Sequence, residues 1–107
     1  MNGGMASVQV GLWIDATRAV IVFAKSLTAH LVESRLIAPG RYYDNVINAL
    51  GTPGPVLIMG PGDTKNELQE RMEQASRWRE WDVRIEPSSS TSNRAILAEL
   101  AERLQPQ

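Results

Sequence analysis

The sequence predicts one α/β domain, three layers around a mixed five-stranded sheet, with elements in the order β-β-β-α-β-α-β-α. Three observations predict it. Period-2 alternation runs through the first third of the chain. From Tyr43 onward a 3.6-residue apolar period takes over, and a short all-apolar run, Val56-Leu57-Ile58-Met59, interrupts it. A length of 107 residues leaves room for a single domain. A chain of this size buries only about two-thirds of its unfolded surface, enough for one modest core.

Val8, Val10, Leu12 and Ile14 alternate with Gln9, Gly11, Trp13 and Asp15, the signature of a first strand. Trp13, out of phase with Leu12 and Ile14, belongs on the opposite face. Asp15-Ala16-Thr17 is a polar break, and residues 19–24 form a β-branched second strand. Lys25-Ser26 turns the chain into a third, more polar strand over 29–37, whose Glu33 and Arg35 suit a sheet edge. These three strands make an antiparallel meander.

Pro39-Gly40 ends the meander. Tyr43, Val46, Ile47 and Leu50 recur at helical spacing, and Gly51 supplies a helix stop. The run 56–59 lacks alternation, as a strand buried on both faces does. Gly60-Pro61-Gly62 then opens a second helix extending to about Trp78, with Leu68, Met72 and Ala75 as its buried stripe. Glu67 with Arg71, and Glu73 with Arg77, are acid-before-base pairs four apart on its exposed faces. Val83 and Ile85 mark a fifth strand. Pro87 and the serine-rich run 88–92 form a loop that supplies helix caps, and Ile96, Leu97, Leu100 and Leu104 drive a third helix. Right-handed crossovers make the later strands parallel, which gives a sheet order of 3-2-1-4-5. This is the arrangement of the ribonuclease-H-like superfold, which hosts many functions and names none. Residues 1–7 read as a flexible leader, 8–104 as the domain and 105–107 as a frayed end. Met1 and Met5 both remain as starts.

Composition narrows the function classes. A net charge of −1 excludes non-specific coating of nucleic acid, although nine arginines against two lysines leave local phosphate contacts open. Cysteine is absent, so there is no disulfide, thiol nucleophile or thiolate metal site. No apolar run approaches the roughly 20 residues of a membrane span. Residues 1–7 carry no basic segment of a signal peptide. The expected location is the cytoplasm, with no membrane partner and no cofactor.

The loop Gly60-Pro61-Gly62-Asp63-Thr64-Lys65 is the most informative surface. A helix opening after a buried strand offers free N–H groups and a partial positive charge to an anion. Gly60, Gly62, Thr64 and Lys65 are therefore the candidate anion- or RNA-binding residues. The plainer reading is a tight turn with Asp63 as cap and Lys65 in solvent. The motif is not a Walker loop. A second constellation pairs Asp15, ending the first strand, with Asp63, just past the fourth, as oxygen ligands of a nuclease-like metal site. Two-metal chemistry needs more carboxylates than this pair and a remote Glu33. The plainer reading there is an Asp15 side chain bonded to its own turn. His30 is the only histidine and has no partner spacing for catalysis. Trp78 and Trp81 among Arg77, Arg79 and Arg84 suit core closure better than base stacking.

Three segments carry a family resemblance. They are Val10-Gly11-Leu12-Trp13-Ile14-Asp15 with Arg18-Ala19-Val20-Ile21-Val22, Arg41-Tyr42-Tyr43-Asp44-Asn45-Val46-Ile47, and Leu57-Ile58-Met59 running through Gly60 to Leu68. The chain resembles, over about 8–104, small bacterial proteins described as translational machinery components. That family is related to the middle domain of the class 1 peptide release factor of eukaryotes and archaea, and of Pelota. The resemblance implies the same ribonuclease-H-like fold. It does not carry over peptide release, which needs a Gly-Gly-Gln tripeptide. Here the only Gly-Gly is Gly3-Gly4, followed by Met5. Only Ala38-Pro39-Gly40-Arg41 stands where family members have a long charged insertion, and Ala16 stands where they often have histidine. The leading expectation is a non-enzymatic domain binding RNA or a ribosome-associated protein through residues 60–65. The alternatives are a homodimerising structural domain, using the 78–84 corner, and a vestigial nuclease-like site at Asp15 and Asp63.

Overall fold

Strand β1 (Val10–Ile14) lies in the middle of the sheet, and all five of its residues are buried. In the computed structural model, which describes residues 8–26, 28–36, 41–75 and 77–104, it pairs on both sides. Antiparallel β2 (Arg18–Phe23) flanks it on one side and parallel β4 (Pro55–Gly60) on the other, with Trp13 opposite Val20 and Met59. Strand β3 (Ala29–Glu33) extends the meander beyond β2, and β5 (Asp82–Pro87) runs parallel to β4. The order is β3-β2-β1-β4-β5, as the sequence predicts.

Helices α1 (Tyr42–Leu50) and α2 (Thr64–Glu73) cover one face. There Leu12, Ile14, Ile21, Ile58, Val46, Leu50, Leu68 and Met72 form one apolar cluster. Helix α3 (Asn93–Leu104) covers the other face, where Ile96, Leu100 and Leu104 pack on Trp13, Val20, Val22, Leu57 and Met59. Trp13 thus opposes Leu12 and Ile14, as its phase in the alternation requires. Gly11 lets α3 approach β1, because a Cβ there would stand 3.1 Å from a Leu100 methyl carbon. Gly51, at φ 84°, ends α1.

Several boundaries differ from the sequence reading. β3 stops at Glu33, and Ser34–Leu36 is a single 3-10 turn. Alternation continues through Glu33 and Arg35, but Ser34 N–H bonds the Thr17 carbonyl and Arg35 Nε folds back on Glu33, which closes the ladder. Ile37 and Pro39-Gly40 lie outside the described residues, as do 1–7 and 105–107. α2 ends at Glu73, well short of Trp78, and Trp78–Glu80 is a separate 3-10 turn. Ala75 is exposed rather than part of the buried stripe. Trp81 rather than Trp78 enters the core, with Trp78 half-buried against the same cluster. The sequence also places Pro87 in the loop after β5, whereas it is the strand's last residue, opposite Gly60.

The two predicted i,i+4 ion pairs do not form. Arg71 grips Asp44 of α1 with two hydrogen bonds of 2.8 Å, and Glu67 accepts from the Tyr43 hydroxyl at 2.7 Å. Arg77 pairs with Glu80 instead. A bidentate Arg–carboxylate contact between helices outcompetes a single-bonded surface pair along one helix.

Trp13 is the largest fully buried side chain. Trp13→Ala should cost about 3–5 kcal/mol in urea unfolding, whereas Leu97→Ala, at a 37% exposed site, should cost under about 1 kcal/mol.

Candidate functional site at the carboxyl ends of the parallel strands

Open α/β sheets bind ligands outside the carboxyl ends of their strands. In this chain three loops meet at that end of the sheet, the crest: 15–17 after β1, 61–63 after β4 and 88–92 after β5. They are laced together. Ser88 N–H bonds the Gly60 carbonyl at 3.3 Å, and Arg18 Nη2 donates to the Thr91 carbonyl. The Tyr42 hydroxyl reaches from the start of α1 to the Asp15 carbonyl at 3.0 Å.

Gly60 and Gly62 are required by the backbone. Gly60 has φ 151°, and a Cβ built on it would lie 2.1 Å from the Ile14 carbonyl oxygen. The end of β4 therefore presses directly on the end of β1. Gly62, at φ 62°, faces open space, so its constraint is conformational alone. After this turn α2 begins at Thr64. Its hydrogen bonds start with Asn66 and Glu67 N–H on the Asp63 carbonyl, so the N–H groups of Thr64 and Lys65 precede the first of them.

The polar side chains of that turn point to each other. Asp63 occupies the cap position but its carboxylate makes no cap hydrogen bond, accepting only a long 3.5 Å contact from Asn66. Lys65 is half-buried, and its Nζ folds back onto the Gly62 carbonyl at 2.5 Å. The solvated Lys65 and capping Asp63 of the plainer sequence reading are thus both corrected. The lysine-to-carbonyl bond ties the turn, and the Asp63 backbone carbonyl, not its carboxylate, accepts from Asn66 and Glu67 N–H.

Asp15 also turns inward on its own loop. Its Oδ1 accepts from Thr17 N–H at 2.8 Å, the Thr17 hydroxyl at 2.9 Å and Arg18 N–H at 2.9 Å. Burial alone raises this carboxyl. The two N–H groups, the hydroxyl and the Arg18 charge outweigh it and hold it below the usual aspartate value. This is the self-bonded turn that short polar breaks favour. Among the described residues no three His, Asp or Glu side chains converge as a metal site, and Asp15 and Asp63 each bond within their own turn. His30 lies exposed on β3 with its ring edge-on to Phe23 at 5.5 Å.

Sequence reasoning missed Arg18, Tyr42, Ser88, Thr91 and Glu99. The Arg18 guanidinium covers the Trp13 ring at 5.2 Å, a cation–π contact worth about 0.5–2 kcal/mol. Ser88 is buried and shares the Glu99 carboxylate with Ser90, at 2.6 and 2.9 Å, which anchors the serine loop to α3. Ser92 caps α3 by accepting from Ala95 N–H, as the loop's composition predicts. The available signal for Arg18 was its place across the hairpin from Asp15. Burial and the Glu67 bond push the Tyr43 phenol up to about 12, and burial first of all raises that of Tyr42, so both stay neutral. Away from the crest, a groove of about 620 Å³ between α1 and α2 is lined by Arg41, Asp44, Asn48, Arg71 and Gln74 among others.

No protein-family model matches the chain, and no curated protein sequence does. Among solved structures it is similar to the Pelota protein of Thermoplasma acidophilum, with a TM-score of 0.60 and 22% identity. The match covers 84% of this chain but only 31% of Pelota, so the chain spans about a third of that protein. The likeness establishes a Pelota-like fold. Among the described residues no helix is long and apolar enough to cross a membrane.

Two predictions follow from the crest. Gly60→Ala should destabilise the fold by more than Gly62→Ala in thermal unfolding. The first meets both strain and a backbone clash, the second only the ~1–2 kcal/mol of a left-handed alanine. The Asp15 carboxyl is depressed on folding, so its contribution is present above about pH 4 and lost as pH falls through the lower folded value. Asp15→Asn should therefore flatten the acid limb of the stability–pH curve while leaving the limb above pH 7 unchanged in shape.

Proposed function

We propose that this protein is a translation-related binding domain of the translational-machinery-component type, without catalytic activity, that contacts RNA or a ribosome-associated protein through its crest loops. The Pelota-like fold carries this reading, because Pelota is one of the relatives that the three sequence motifs imply. The RNA contact is assigned to Gly60, Gly62, Thr64 and Lys65. The two glycines bring the start of α2 to the crest, where its first N–H groups would meet an incoming phosphate. Lys65 need only leave the Gly62 carbonyl to reach it.

Charge sets the expected strength. Asp63 and Glu67 sit within the same turn as Lys65, and the net charge is −1, so binding should be weak and strongly salt-dependent. Filter binding to tRNA and to ribosomes at low salt tests the reading. Wild type should retain RNA, and Lys65→Ala should lower the slope of log affinity against log salt by roughly one. Equal retention by the two proteins would remove the loop from the interface, and no retention by either would remove RNA.

A further inference from the structure

The two edges of the sheet are guarded very differently. β5 alternates Asp82, Arg84 and Glu86 along its length, ends in Pro87 and is tied to α3 by the Glu86–Arg103 ion pair. Charge and proline are the usual means by which an edge strand resists pairing. β3 reads Ala-His-Leu-Val-Glu, with no proline, and its one charge lies at the last position. Its central Leu31 is 51% exposed.

The hydrogen-bond phase fixes which backbone groups this edge offers. Ser34 N–H bonds the Thr17 carbonyl, so Val32 and His30 also turn their backbone groups toward β2. The N–H and C=O groups of Ala29 and Leu31 and the N–H of Glu33 therefore point outward; the Glu33 carbonyl already accepts in the 3-10 turn Ser34–Leu36 and has one lone pair left to offer. Those three positions are symmetric about Leu31. Two copies of β3 set antiparallel across a two-fold axis at Leu31 satisfy all of them, pairing Leu31 with its equivalent and Ala29 with Glu33 in both directions.

The side chains agree. Leu31 lies opposite Val20, which places it on the α3 face of the sheet. On α3, Glu99 and Arg103 reach toward the β5 side through Ser88, Ser90 and Glu86, while Ile96, Leu100 and Leu104 face the sheet. Leu97 falls on the opposite flank by helical geometry, toward β3. Leu31 and Leu97 are the exposed large hydrophobic residues among those described. Antiparallel pairing also keeps the two Glu33 side chains apart. Each Glu33 moves toward the partner's β2–β3 turn, which carries Lys25, whereas a parallel partner would bring the acids together.

We propose that this protein forms a homodimer by antiparallel β3–β3 pairing about Leu31, joining two sheets into one of ten strands with Leu31 and Leu97 of both copies packed across the axis. The crest loops lie on other strands and stay free, so this assembly stands independently of the RNA reading. Sedimentation velocity at high micromolar concentration should give twice the 11.8 kDa chain mass for wild type, and the monomer mass for Leu31→Lys with an unchanged circular dichroism spectrum. Because the chain contains no cysteine, Leu31→Cys provides a second measurement that does not depend on how Leu31→Lys folds. Equivalent residues in a hydrogen-bonded antiparallel pair lie about 5.5 Å apart at Cα, within disulfide reach. Oxidation should cross-link Leu31→Cys at least tenfold faster than the exposed control Arg79→Cys. A monomeric wild type, a dimer that survives Leu31→Lys in a folded protein, or equal cross-linking of the two cysteine variants would each overturn the proposal. A monomer would leave the β3 edge to some other occupant.

Discussion

Everything in this fold depends on the double ladder of β1. Its five residues are buried on both faces, so no water reaches their backbone groups and each must find a partner in a neighbouring strand. β2 supplies those partners by a short hairpin, and β4 supplies them only after a crossover through β3 and α1. The two apolar clusters are the two sides of this one strand. Leu12 and Ile14 organise the layer beneath α1 and α2, and Trp13 organises the layer beneath α3. The contact between Gly60 and the Ile14 carbonyl follows from the same constraint, since the last parallel rungs bring the chain ends of β1 and β4 against each other.

That junction also shapes the crest. Glycine at position 60 is a consequence of packing before it is an invitation to a ligand, and several polar groups around it bond to one another, while Arg18 Nε and Trp13 Nε1 are buried without a hydrogen-bond partner. Asp15 holds Thr17 and Arg18, Tyr42 holds Asp15, Arg18 holds Thr91 and Glu99 holds Ser88 and Ser90. Asp15 directs one oxygen, Oδ1, at three donors of its own turn.

Much of the architecture was legible in the sequence, for identifiable reasons. The alternation around β1, the unbroken apolar run of β4 and the two glycines after it each have one physical explanation, and all three agree on topology. The errors fall where local pattern and tertiary partner compete. Glu33 and Arg35 continue an alternating pattern, yet nothing in that pattern distinguishes an edge strand from the turn that ends it. Helical periodicity runs past Glu73, but Trp81 needs the core, so α2 stops at Glu73 and the separate turn Trp78–Glu80 delivers Trp81. Arg71 has a correctly spaced acid on its own helix and still prefers Asp44 on another. At the crest, the position of the glycine turn was legible, whereas the Arg18–Trp13 stack and the anchoring of the serine loop required knowing which strands are neighbours.

The division of the core between two helices on one face and one on the other has a temporal side. Val10 pairs with Val56 and Trp13 with Met59, so β1 cannot complete its ladder until the chain has been made past its midpoint. The α3 face waits longer still, because the helix that covers Trp13, Val20 and Leu57 is the last of the described elements to leave a ribosome. Until then the same apolar face stands open beside the unguarded β3 edge. A nascent chain is therefore most prone to sticking to its neighbours in the interval between the emergence of β5 and the arrival of α3.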